Sequence, residues 1–129
     1  MGDIKSYKDL DVWKKAVELA KEVYLLTKNF PRDELYGIVN QIRRSSVSIA
    51  SNIAEGKSRQ HKNEYIQFLY IALGSCAELE TQVIISKELG YLDDHSDDVI
   101  FEDLDHLGRM IRNLIKSLKL ITDNREPRT

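Results

Sequence analysis

Basic side chains that could bind phosphate are concentrated in two parts of this sequence. One group surrounds a predicted turn near residue 60, and the other lies in residues 106–129, which hold six Lys or Arg against two acids. The two groups are Arg43, Lys57, Arg59 and Lys62, and Arg109, Arg112, Lys116 and Lys119. Because lysine and arginine neutralise nucleic-acid phosphates, these residues predict a surface for RNA or DNA.

The same charges also have a purely structural interpretation. Acids at the start of the last predicted helix and bases at its end complement the helix dipole, and Asp105 and Arg109 have i,i+4 spacing. The formal net charge of −2, from 19 Lys and Arg against 21 Asp and Glu, excludes a uniformly basic protein. Residues 65–105 contain ten acids and one base, so this total is a near cancellation between an acidic middle and more basic flanks.

A second candidate site is a polar seam between residues 41 and 59. Its members recur at spacings of 4, 3, 4 and 3: Gln41, Ser45, Ser48, Asn52 and Glu55. In the next predicted helix, Glu78 or Glu80 could accept hydrogen bonds from Arg43 or Arg44. We predict a structural network that fixes register and oligomeric state, made of Gln41, Arg44, Ser48, Asn52, Glu55 and Glu78. The alternative is a groove that binds a small ligand.

Residue patterns of known catalytic and metal sites are not found in this sequence. His61, His95 and His106 lack the spacing that would place two of them on one helical face. Cys76 is the single cysteine and lies in an apolar seam, which favours an inert core thiol. The sequence contains no glycine-rich phosphate loop, nucleophile elbow or metalloprotease helix motif. We therefore expect no enzyme, no cofactor and no metal.

The elements that must position these residues are helices. Apolar residues recur at alternating spacings of 3 and 4, which predicts helices at about 9–30, 33–57, 61–89 and 96–121. Pro31, Gly56 and Gly90 are the predicted stops, and Ser96 is the predicted N-cap of the last helix. We expect one all-α domain over residues 1–129, an up-down-up-down antiparallel four-helix bundle with a frayed tail at 122–129. A long helical hairpin that forms a bundle only as a dimer is the alternative.

The third predicted helix is more apolar than one position in a monomeric bundle requires. From Tyr65 to Leu73 only Gln67 is polar, whereas each helix of a four-helix bundle keeps an outer face. The excess predicts self-association through Ile66, Tyr70 and Leu73. Alternatively, neighbouring loops or an N-terminal arm with Ile4 and Tyr7 cover this surface.

Five separated motifs in order resemble the 23S ribosomal RNA intervening-sequence proteins, a family of four-helix bundles. They are QIRRSSVSIASNIAEGKSR at 41–59, ALGSCAELETQ at 72–82, LGYL at 89–92, DLDVWKKAVELAKEVY at 9–24 and FPRDELYG at 30–37. The resemblance spans about Tyr7 to Leu120. It implies a bacterial origin and assembly as a ring, commonly a pentamer. A similar protein, the accessory protein of diversity-generating retroelements, binds reverse transcriptase and nucleic acid through a basic surface. The family name records a gene location and implies no ribosomal role.

Together these patterns predict a noncatalytic homo-oligomeric scaffold with a surface for RNA or DNA. The alternative is an adaptor that binds a protein partner and no nucleic acid, and a small-ligand site is a third interpretation. The sequence shows neither a secretory signal nor an uncharged apolar stretch that approaches the roughly 18 residues of a membrane span. We therefore expect a soluble cytoplasmic protein that makes no membrane contact.

Overall fold

The computed structural model describes residues 6–121, which form four α-helices and no β-strand. The helices are α1 (Asp11–Thr27), α2 (Ile38–Lys57), α3 (Lys62–Glu88) and α4 (Asp98–Leu120), with 3-10 turns at Tyr7–Asp9 and Arg32–Glu34. The all-α fold is thus confirmed. The predicted tail and Ile4 lie outside the described residues.

The helix ends differ from the predicted ones where local hydrogen bonding competes with the helix. Residues 33–37 were predicted to begin the second helix, but a 3-10 turn forms there and α2 starts after Gly37. Ser96 is not the N-cap, because its hydroxyl donates to the Asp93 carbonyl at 2.7 Å and buried Asp97 occupies that position. The stop at Gly90 is confirmed by its φ of +79°.

One apolar core joins all four helices. Each helix packs against the next in sequence, and α1 also packs against α4. The largest side chains with no exposed surface come from every helix: Leu19, Ile42, Ile49, Ile53, Leu69, Leu79, Leu107 and Ile111. All of these residues belong to the predicted 3-4 seams, so burial follows the periodicity read from the sequence.

Contacts at the helix ends show which connections lie together. The Lys62 ammonium, at the start of α3, donates to the Ile121 carbonyl at 2.7 Å, just after α4. The link between α1 and α2 meets the link between α3 and α4, where the Tyr91 hydroxyl donates to Glu34 at 2.6 Å. The Phe30 and Tyr91 rings add a contact there, with centroids 5.6 Å apart.

Helix α3 is apolar around its circumference, with ten residues buried. Its length and apolar composition alone would allow it to cross a bilayer, a property shared by core helices of soluble proteins. Its contacts with α2 and α4 are those of a core helix. Apolar side chains still remain exposed along it, namely Tyr70, Ile71, Ile84, Ile85 and Leu89. The described residue of the N-terminal arm, Tyr7, packs elsewhere, with its ring centroid 5.2 Å from that of Trp13 on α1.

Two glycines, Gly56 in α2 and Gly74 in α3, have different surroundings. Gly56 does not end α2, which continues to Lys57. Instead Gly56 is buried where α2 meets α3, and a Cβ there would lie 2.8 Å from Cβ of Phe68 and 3.0 Å from the Tyr65 ring. Gly74, in the interior of α3, faces open space instead, because a Cβ there would have no atom within 4 Å. The close approach of α2 and α3 therefore depends on Gly56.

The two glycines provide a matched test of this contact. We expect Gly56→Ala to lower the unfolding free energy by about 1–3 kcal/mol, because the methyl group overpacks the α2–α3 contact. Gly74→Ala should raise it by about 0.5–1 kcal/mol, since alanine is the better helix former in open space. Urea unfolding followed by circular dichroism measures both. Equal effects of the two substitutions would contradict the structural difference.

Candidate nucleic-acid interface

A groove of about 340 Å³ between α3 and α4 brings together two predicted sets of residues. Its lining residues are Tyr70, Leu73, Arg112, Ile115, Lys116 and Lys119. The first two belong to the predicted oligomer interface, and the three cations belong to the predicted phosphate-binding group. Ile115 is buried and Leu73 half-buried, so the groove has an apolar floor with positive charge along one wall.

Two of the three groove cations have no acidic partner. Within the described residues, neither Arg112 nor Lys116 makes an ion pair. The sequence explains this, because positions three and four residues away from each of them on α4 contain no acid. The Lys119 ammonium donates to the Tyr70 hydroxyl at 2.9 Å, which is a neutral partner. Within the described residues none of the three cations is therefore held in an ion pair, although Arg112 also lines a neighbouring cavity of about 130 Å³ together with Glu80 and Asp105.

The turn between α2 and α3 carries the second predicted basic group. The Arg59 guanidinium lies 4.9 Å from the Phe68 ring centroid and 3.8 Å from the Glu55 carboxylate. The Lys57 ammonium lies 5.8 Å from the Tyr65 ring centroid. Lys62 reaches the end of α4, as described above, so these cations lie at the same end of the molecule as Lys119.

The structure does not bring Arg43 and Arg109 into this surface as free cations. Arg43 donates to the Thr27 hydroxyl at 2.9 Å and covers the Tyr24 ring at 4.7 Å, so it joins α2 to α1. It precedes Lys57 by 14 positions, which is about 21 Å along a helix. Arg109 pairs with Asp105 on its own helix, as the structural interpretation of the sequence expected.

The predicted polar network lies between α2 and α3 and borders a second groove, of about 320 Å³. The Ser45 hydroxyl donates to Gln82 at 2.9 Å, and the Ser48 and Ser75 hydroxyls share a hydrogen bond of 2.9 Å. The Asn52 amide donates to the Ser48 carbonyl at 2.8 Å. These bonds satisfy polar groups that two closely packed helices would otherwise bury unpaired.

The outer members of the network are arranged differently from the prediction. Gln41, Arg44 and Glu78 line the second groove, but within the described residues no ion pair joins Arg43 or Arg44 to Glu78 or Glu80. The predicted arginine–glutamate pairing is therefore wrong. Arg43 turns toward α1, and Arg44 and Glu78 are both exposed, so water solvates their charges. Glu55 faces Arg59 outside the groove.

One cluster of titratable groups was missed by the sequence analysis. One carboxylate oxygen each of Glu18, Glu22 and Asp103 lies within 4.8 Å of the other two, a spacing that could hold a cation. The Lys15 ammonium already contacts Asp103 at 2.9 Å. Burial and a hydrogen bond with Asp103 raise the pKa of Glu22 from 4.5 to about 7, and the same bond lowers the pKa of Asp103. A proton on Glu22 together with Lys15 thus reduces the charge of this cluster from −3 to −1.

The three histidines and the single cysteine differ in exposure and do not form a cluster by sequence position. His61, His95 and His106 are all exposed. Burial raises the pKa of the Cys76 thiol to about 11, so little nucleophilic thiolate forms at neutral pH.

The Glu22–Asp103 contact predicts how stability depends on pH. Because the folded protein holds the Glu22 proton more tightly than the unfolded chain, this residue's contribution to stability is lost as the pH rises from 4.5 to about 7. Glu22→Gln, which stays neutral, should remove that loss and raise the melting temperature at pH 8. Thermal melts at pH 5 and pH 8 measure the effect, with Glu88→Gln, at an exposed site on α3, as the control. If Glu22→Gln leaves the difference in melting temperature between pH 5 and pH 8 unchanged, the raised pKa of Glu22 is contradicted.

Comparisons with known proteins agree with this fold. The family model described as 23S rRNA-intervening sequence protein matches residues 8–113. A crystal structure of a protein with unknown function from the S23 ribosomal protein family of Bacteroides thetaiotaomicron is similar, with a TM-score of 0.73 and 26% identity. The alignment covers 81% of this chain and 98% of that chain. No curated protein matches the sequence. Since the family model matches most of the chain and the fold is shared, this chain belongs to the 23S rRNA-intervening sequence protein family.

Proposed function

We propose that this protein is a noncatalytic, homo-oligomeric four-helix-bundle scaffold that binds RNA or DNA through the end of α4 and the α2–α3 turn. The observation that carries the proposal is the wall formed by Arg112, Lys116 and Lys119, two of which lack any acidic partner. Partnerless neighbouring cations repel each other, and an anionic ligand relieves that repulsion. Phosphates spaced along a strand supply several anions at once.

The proposed topology is up-down-up-down and antiparallel. The three connections between the helices are short, and no helix packs against its diagonal neighbour. The contact of Lys62 with Ile121, and that of Tyr91 with Glu34, support this arrangement, because alternate connections then lie at opposite ends. It places the basic α2–α3 turn beside the basic end of α4.

The proposed self-association uses the outward face of α3. Tyr70 and Leu73 face the groove with α4, while Glu78 and Gln82 face the groove with α2. Ile71 and Ile85 line neither of these grooves and are 51% and 45% exposed. Ile66 is buried inside the chain and cannot contribute to an interface. Exposed apolar side chains on a helix that already fills the core favour a second copy as their cover.

We propose a ring, with the pentamer that the family resemblance implies, in the cytoplasm of a bacterium. Heterologous contacts between identical subunits close into rings when the rotation allows it. A ring repeats the basic end of each protomer around one axis. The summed potential then exceeds what the net charge of −2 for one chain suggests.

Substitutions on the outward face of α3 test the assembly. We expect Ile71→Lys with Ile85→Lys to dissociate the oligomer, because two ammonium groups would have to be buried in the interface. Leu25→Lys is the matched control, since Leu25 on α1 is 59% exposed and lies away from that face. Light scattering coupled to size exclusion gives the mass of each variant. A monomeric wild-type protein would refute the assembly and the ring.

Charge removal on α4 tests nucleic-acid binding. We expect Lys116→Gln with Lys119→Gln to reduce the slope of log affinity against log salt by about 1.4 for single-stranded RNA, since each phosphate contact contributes roughly 0.7. The affinity should fall about 10–30-fold at 0.1 M salt by the same relation. The control is Lys21→Gln with Lys28→Gln, at exposed sites on α1 and directly after its last residue.

Fluorescence anisotropy with labelled RNA and DNA at several salt concentrations measures these quantities. If the wild-type protein binds neither, or if the α4 and α1 variants have equal slopes, the nucleic-acid proposal is wrong. An intact oligomer without nucleic-acid binding would instead support the adaptor interpretation.

A further inference from the structure

We propose that the α3–α4 groove binds single-stranded rather than double-stranded nucleic acid, with one base stacked on Tyr70 and its flanking phosphates on the α4 cations. This inference rests on the proposed function and names the form of its ligand. The bases of a duplex are stacked on each other and cannot lie flat against a side chain. An unpaired base offers a free face for such stacking.

The Tyr70 ring is available for stacking. It is 49% exposed, in a groove whose other walls are charged or apolar. The Lys119 ammonium lies 2.9 Å from the Tyr70 hydroxyl oxygen but 5.4 Å from the ring centroid. It therefore sits beyond the hydroxyl end of the ring and does not cover the centre of either face. The hydrogen bond fixes the ring beside the cation while leaving its surface accessible.

The neighbouring aromatic side chains of α3 are already occupied. Tyr65 is buried in the core, and the Lys57 ammonium faces its ring. Phe68 is half-buried, and the Arg59 guanidinium lies over it at 4.9 Å. Tyr70 differs from both, because the Lys119 ammonium contacts its hydroxyl group and lies away from the faces of the ring.

The floor and the cations of the groove suit the two parts of a nucleotide. Leu73 and Ile115 provide apolar surface for a base, and the volume of about 340 Å³ is that of a small-molecule cleft. Arg112, Lys116 and Lys119 recur at spacings of 4 and 3, so they share one face of α4 over about 10 Å. That length allows contact with more than one phosphate of a strand that passes the groove. The base of a nucleotide would contact the apolar floor, and its charged backbone would contact the basic wall.

The decisive experiment compares two tyrosine substitutions on a fluorescein-labelled 12-nucleotide RNA and on its blunt duplex. We expect Tyr70→Leu to weaken binding of the single strand about 5–150-fold, as loss of one base–aromatic stack does, with an unchanged salt slope. Tyr36→Leu is the matched control, because Tyr36 is 91% exposed in the link between α1 and α2. Tyr70→Phe keeps the ring and should keep most of the affinity. Wild-type protein should prefer the single strand to the duplex at equal salt.

A second measurement uses the unmodified protein, so it does not depend on how a variant folds or assembles. A 12-nucleotide RNA that carries 5-iodouridine should crosslink on irradiation to the peptide that contains Tyr70, as mapped by mass spectrometry. A crosslink confined to other peptides would overturn the inference, as would equal affinity for duplex and single strand. If Tyr70→Leu binds normally while Lys116→Gln with Lys119→Gln binds weakly, stacking is refuted and the proposed function stands. If no RNA or DNA binds, both fail.

Discussion

The close packing of α2 against α3 is the contact on which the other features of this protein depend. It is the most extensive helix pair in the structure, and small residues make it possible. Gly56 leaves room for Phe68 and Tyr65, while Ser45 and Ser48 bring hydroxyls rather than bulky chains to the seam. Because every one of these hydroxyls has a hydrogen-bond partner, the helices can approach without stranding buried polar groups.

This contact determines which surfaces of α3 remain for function. One side of the helix is closed by α2 and another borders α4, and apolar residues that line neither groove remain exposed. Ile71 and Ile85 are such residues, and the backbone at Gly74 also faces open space. Tyr70 is turned toward α4 instead, where it meets Lys119. A surface for assembly and a surface for a ligand can therefore coexist on one helix, about a quarter turn apart.

The sequence predicted local properties well because they depend on periodicity and on backbone chemistry. Apolar spacing identified all four helices, and Gly90 identified the end of α3. Contacts between distant residues were less predictable. Whether a glycine packs closely depends on what faces it, and neither Gly56 nor Gly74 carries that information in its neighbours. The Glu22–Asp103 pair joins residues 81 positions apart, so no local pattern could reveal it.

Structural roles account for some of the cations on α4 but not for all of those at the candidate site. The positive charge of Arg109 has a structural role, because Arg109 pairs with Asp105 one turn earlier on α4. The helix dipole also favours a cation near the end of α4. Arg112 and Lys116 stand four residues apart, a spacing at which like charges destabilise a helix. No ion pair within the described residues accounts for placing them side by side over a groove with an apolar floor. In the proposed complex a bound anion would offset that repulsion, and an anion that carries a flat apolar group would also use the floor and the exposed ring beside it.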